Sequence, residues 1–138
     1  MLDPADPKGA HIDRRLRAEP IIWLSSVRPD GRPHLVPVWF LWDGAAILIF
    51  SKPAAQKVRN LRRNPQVMLA LDSADEGEDV VLLEGQAELL GDDAPRSTLP
   101  AYAEKYAALM ARIGITAESM AGEYTQSIRV TVERLVRF

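Results

Sequence analysis

Two glycine-bearing turns constrain this chain more than any other feature of it. Arg28-Pro29-Asp30-Gly31-Arg32 and Asp43-Gly44 fall between apolar, β-prone runs. Glycine accepts the positive φ that tight hairpin turns demand. The turns divide residues 21–50 into three strands, at 21–27, 34–42 and 45–50. Strands so close in sequence pair antiparallel, because a parallel return needs a crossover of about a dozen residues. The expected start of the fold is therefore an antiparallel meander.

The flanking segments extend this reading. Residues 1–10, rich in Pro, Asp and Gly, read as a flexible N-terminal arm. A short helix is expected over 12–18, with Ile12 and Leu16 on one face and Pro20 ending it. Pro53 suits the first turn of a second helix, which runs to Arg63 and turns Val58 and Leu61 inward. Asn64-Pro65 stops it, since a residue before proline resists the α region. A fourth strand at 66–71 and a fifth at 80–90 flank an acidic run, Asp72, Asp75, Glu76, Glu78 and Asp79, which reads as a solvated loop. Gly85 marks a bulge or a close backbone approach. Asp93-Ala94-Pro95 opens the longest helix, whose apolar stripe is Leu99, Tyr102, Ala103, Tyr106, Leu109, Met110 and Ile113. Gly114 caps it, and a helical turn at 117–121 precedes a last alternating strand at 126–138. About six strands with two or three helices predict one mainly β domain over residues 1–138, a small antiparallel barrel with helices at its ends.

Composition narrows the function. The chain has 138 residues and is 47% hydrophobic, enough for one core without staples. It has no cysteine, which excludes disulfides, iron–sulfur clusters and a cysteine nucleophile. Only two histidines are present, which argues against a structural zinc site, and both His11 and His34 read as surface residues. A net charge of -2 gives no global attraction to nucleic acid. No apolar run approaches the ~20 residues that cross a bilayer. The N-terminus lacks the plan of a signal peptide. The expectation is a soluble cytoplasmic protein with neither nucleic acid nor membrane as partner.

Chemistry concentrates in two places. In Ser51-Lys52-Pro53-Ala54-Ala55-Gln56-Lys57 a strand ends and a helix begins at once, so several N–H groups lack partners at the positive end of a helix dipole. Lys52 and Lys57 can converge there, with Ser51 and Gln56 as neutral donors, which is what a phosphate needs. The same residues also suit a plain helix cap with a solvated basic face, and both readings stand at this point. Arg59, Arg62 and Arg63 continue the positive surface and suit a long anionic tail. The second place is Val36-Pro37-Val38-Trp39-Phe40. Proline cannot donate to a ladder and belongs on an edge strand, where free backbone groups could meet the rim of a flat heteroaromatic ring beside Trp39. Taken one by one, Trp39, Phe40 and Trp42 read first as core. No catalytic acid, base or triad spacing is visible, and cofactor chemistry needs few protein side chains.

The run Gly31-Arg32-Pro33-His34-Leu35-Val36-Pro37-Val38-Trp39-Phe40 resembles the pyridoxamine 5'-phosphate oxidase-like split β-barrel family. So do Ser51-Lys52 with Gln56-Lys57-Val58-Arg59-Asn60-Leu61, Asn64-Pro65 and Ile128-Arg129-Val130-Thr131. Within that family the motifs look like the subgroup that uses the deazaflavin coenzyme F420. The resemblance implies a six-stranded antiparallel split barrel, a homodimer, and cofactor clefts between protomers. It implies that Ser51, Lys52, Gln56 and Lys57 hold the cofactor phosphate, with Asn60 and Arg62 near its tail. Val36, Pro37, Val38 and Trp39 would line the ring. The implied activity is an F420-dependent oxidoreductase passing a hydride from reduced F420 to a small conjugated or aromatic acceptor. An FMN-binding flavoprotein of the same fold, or a non-catalytic F420- or haem-binding protein, is the alternative. The chain departs from the oxidases proper in being short and in lacking their basic cluster near the C-terminus, so vitamin B6 oxidation is not expected.

Overall fold

The computed structural model describes residues 2–91 and 99–136. Helix α1 (Pro7–Ala18) begins at Pro7 rather than at residue 12, because Asp6 caps it by accepting from the Lys8 N–H and proline fits its first turn. Ile12 and Leu16 are its buried face, as the spacing required.

Strands β1 (Ile22–Val27) and β2 (Pro33–Val38) form the hairpin that the first turn predicts, with Gly31 at φ 90°. The expected meander stops there. The predicted strand over 34–42 is broken after Val38, and its far end becomes a separate two-residue strand, β3 (Leu41–Trp42), paired to β4 (Ala46–Ser51) across the second turn. The break has a cause that lies far along the chain. The Phe40 N–H donates to the Tyr106 hydroxyl at 2.8 Å, and the Phe40 carbonyl accepts from Lys105 Nζ at 2.9 Å. Side chains of a later helix thus take the backbone groups that a neighbouring strand would have used.

Helix α2 (Gln56–Arg63) starts three residues after Pro53; the intervening turn closes through the Ala55 N–H and the Lys52 carbonyl at 3.2 Å. Val58, Asn60 and Leu61 are its buried residues. Strand β5 (Gln66–Ala74) and strand β6 (Asp79–Leu89) enclose one turn of 3-10 helix at Asp75–Gly77. The acidic run is only partly a solvated loop. Asp72 accepts from the Trp23 indole at 2.7 Å, and Asp79 lies 2.8 Å from His11 and 3.2 Å from Arg15. The first contact ties β1 to β5 and the other two fasten α1 to the sheet, while Glu76 and Glu78 stay exposed.

The predicted opening of the longest helix at Asp93-Ala94-Pro95 lies outside the described residues, which enter it as α3 (Leu99–Ile113). Gly114, at φ 77°, ends it. Helix α4 (Ala117–Glu123) outlasts the single turn expected, helped by a capping box between Thr116 and Ser119. Strand β7 (Gln126–Leu135) closes the fold; residues 137–138 lie outside the description.

Among the described residues the strands form one antiparallel sheet of seven, in the order β2-β1-β5-β6-β7-β4-β3, against about six expected. The additional strand is the short β3. The sheet curls as an open, split barrel with β2 and β3 at its two edges. Its main core runs from Ile12 and Leu16 through Ile22, Leu24, Leu69 and Leu83 to Ile128 and Val130. A second cluster, Tyr102, Tyr106 and Met110, packs with Trp39, Leu41, Phe50 and Met120 outside the barrel. No described helix is long and apolar enough to cross a membrane.

Candidate functional site

The site is built where the edge strand β2, the start of α2 and the second aromatic cluster meet. Strand β2 has a neighbour on one side only, so Pro37 occupies the edge position that its missing N–H requires. Beyond it Trp39 leaves the sheet and stacks on Tyr106, with ring centroids 4.4 Å apart and planes 1° from parallel. The Tyr106 hydroxyl lies 2.7 Å from the Pro20 carbonyl, which fixes the ring against which the indole rests. Phe50 meets Tyr102 edge-on at 4.8 Å, completing an aromatic wall.

A cleft of about 380 Å³ opens against this wall. Pro37, Val38 and Trp39 line one side, Lys57 stands at another, and Phe50, Tyr102, Ile115, Met120 and Tyr124 supply the rest with Ile21. Lys57 is half-buried on the first turn of α2, and burial lowers its pKa from the usual lysine value. Among the described residues no carboxylate pairs with it. Ala55, the N-cap, offers no side-chain oxygen, so the first amides of α2 lack a cap as well. An unpaired, partly desolvated cation beside uncapped amides favours an anion at that point.

The other residues singled out from the sequence fall around this cleft without lining it. Ser51 is fully buried and donates to the Lys52 carbonyl at 3.0 Å. Lys52 is exposed, with Nζ 3.9 Å from Glu123 and 5.6 Å from the centre of the Tyr124 ring. Gln56 donates to Asn60 at 2.8 Å and accepts from Arg59 at 2.5 Å. Asn60 is fully buried and donates to the Ser26 hydroxyl at 3.0 Å, so both ends of its amide serve α2 and β1. Val36 is half-buried on β2, and Arg62 is exposed in the last turn of α2.

Sequence reasoning missed the helical side of the cleft. Tyr102 fits the apolar stripe of α3 and reads as core; it is buried, yet it also walls the cleft. Among the described residues its hydroxyl has no hydrogen-bond partner, and burial raises its pKa. A neighbouring apolar hollow of about 380 Å³ shares Phe50, Tyr102, Met120 and Tyr124 with the first. Periodicity tells which face of a helix is apolar, and is silent on whether that face meets protein or a cavity. The arrangement as a whole suits a flat apolar ring with polar edges, bearing an anionic group toward α2.

These features define a split-barrel protein with an aromatic cleft beside its proline-bearing edge strand. Residues 9–136 match the pyridoxamine 5'-phosphate oxidase family, and the chain belongs to it. Among solved structures it is 26% identical to a conserved hypothetical protein from Mycobacterium tuberculosis, covering 91% of this chain and 81% of that one with a TM-score of 0.71. It is also 26% identical to an F420 reductase, over 89% of this chain and 94% of that one, with a TM-score of 0.65. A haem-storage protein from Vibrio cholerae shares 17% identity over 91% of this chain and 89% of its own, TM-score 0.65, a likeness of fold alone.

Proposed function

We propose that this chain is an F420-dependent oxidoreductase, moving a hydride between reduced deazaflavin and a small conjugated or aromatic acceptor. The observation that carries the reading is the cleft itself, which joins the open edge at Pro37 and Val38 to the unpaired Lys57. The similarity to an F420 reductase supports it.

The residues present fit such a cofactor. Lys57 and the uncapped amides of α2 would hold the phosphoryl group, with Ser51, Lys52 and Gln56 beside them. Arg59, Arg62 and Arg63 extend positive charge away from it toward an oligoglutamate tail. Val36, Pro37 and Val38 present backbone at the ring's edge, and Trp39, locked by Tyr106, flanks it. Phe50, Met120 and Tyr124 exclude water from the acceptor's side. The chemistry a bound deazaflavin supplies is two-electron hydride transfer, and the protein's part is to hold donor and acceptor in register.

A fluorescence titration of the purified protein with F420, run beside one with FMN, tests the cofactor. Tighter binding of F420 is expected. Preference for FMN would move the chain to the flavoprotein branch, and binding of neither would leave the fold without this function.

A further inference from the structure

His34 belongs to none of the contacts described so far. It sits on β2 directly across from Ser26 of β1, and residues paired in this way project to the same face of a sheet. That face is the one α2 covers: Ser26 is buried and accepts from Asn60, which in turn accepts from Gln56. The imidazole is therefore set beside the polar chain that leads to the first turn of α2. Its Nδ1 is buried and has no hydrogen-bond partner among the described residues, an arrangement that native structures rarely leave unexplained. The charged groups bearing on it are both cations, Arg28 from the turn after β1 and Lys57 from α2. Their repulsion, together with burial as the larger cause, holds the imidazole below its ordinary pKa and hence neutral near pH 7. Arg28 and Lys57 thus bear on the imidazole electrostatically, and the neutral side chains of the polar chain beside it are Ser26, Asn60 and Gln56.

We infer that His34 completes the anion site begun by Lys57, and that it takes up a proton when a phosphoryl-type oxyanion binds there. The inference rests on the phosphate site proposed above and adds a residue to it. An anion placed among these groups reverses the local field from repulsive to attractive, which raises the pKa of the imidazole. By linkage, the same proton tightens anion binding, so affinity rises as pH falls from about 8 to 5.5.

The chain has only two histidines, which makes the test direct. In a His11→Gln variant the imidazole NMR signals belong to His34 alone. Sulfate is the probe, because it keeps both charges across this range. The expected result is a His34 pKa below 6.5 without sulfate, rising by half a unit or more as sulfate saturates; in the Lys57→Ala variant it starts higher, because one repelling cation is gone, and does not respond to sulfate. The backbone amides of Gln56 and Lys57 report occupancy independently. If those amides shift with sulfate and the His34 pKa does not move, the assignment of His34 is overturned while the phosphate site stands. If neither responds, the phosphate site itself fails and this inference fails with it.

Discussion

Lys57 holds a half-buried charge that no carboxylate offsets among the described residues. Replacing it with alanine therefore removes a desolvation cost in the free protein and a charge-assisted contact in the complex. The account predicts that Lys57→Ala folds as stably as the parent and binds F420 ten- to hundredfold more weakly, the equivalent of ~1.5–3 kcal/mol. Titration of both proteins by cofactor fluorescence checks the second part and thermal melting the first. Tyr106 plays the opposite role. Its hydroxyl accepts the Phe40 N–H and lies 2.7 Å from the Pro20 carbonyl, so Tyr106→Phe orphans the buried Phe40 N–H. A loss of ~1–3 kcal/mol in a denaturant melt is expected. The two residues also differ in how legible they were. A lysine just inside a helix start advertises itself in the sequence. The hydroxyl of Tyr106 acts on a residue 66 positions away, and no local pattern records that.

At the scale of elements, Gly85 and Lys105 decide how strand and helix dock. A methyl group at position 85 would lie 2.5 Å from the Thr131 carbonyl, at the register shift between β6 and β7. Gly85→Ala must push the two central strands apart, with a loss of ~1–3 kcal/mol measurable as a lower midpoint in urea. That close approach was one of two readings the sequence allowed, and here spacing and structure agree. Lys105 fastens α3 to the sheet, its ammonium 2.9 Å from the Phe40 carbonyl and 3.7 Å from the centre of the Phe40 ring. Burial pulls its pKa from 10.5 down to about 8, with Glu19 opposing. Between those two values the unfolded chain binds more protons than the folded one, so stability rises with pH across that window. Melts from pH 7.5 to 10.5 should show this rise, and Lys105→Met should flatten it. The elements were largely readable from turns and periodicity, and their partners were not. Both hairpin turns occur where glycine allows them, yet β4 pairs with β7 instead of continuing the first hairpin. The reason is the interruption at Trp39 and Phe40, whose backbone is claimed by α3.

For the whole molecule, the open edges of the sheet bear on assembly. Strand β2 lies at one edge and carries Leu35 at 60% exposure, and Met68 of β5 is also exposed. A second copy of this chain would cover such surface, and sedimentation at micromolar concentration is expected to give a homodimer; a monomer would count against a cofactor cleft shared between protomers. A small antiparallel barrel was legible from the short turns and the apolar strands, and its split form was implied by the family resemblance of the motifs. The cleft was half legible: Pro37 and Lys57 mark it in the sequence, whereas Tyr102, Met120 and Tyr124 enter it only through the packing of α3 and α4. The central claim is hydride transfer from reduced F420, and the most direct measurement is the recovery of oxidised F420 absorbance when protein and a panel of conjugated and aromatic acceptors are mixed with the reduced cofactor. The account predicts oxidation that requires both protein and acceptor and that weakens in Lys57→Ala. Tight binding of F420 with no acceptor-dependent oxidation across the panel would contradict it and make the protein a carrier.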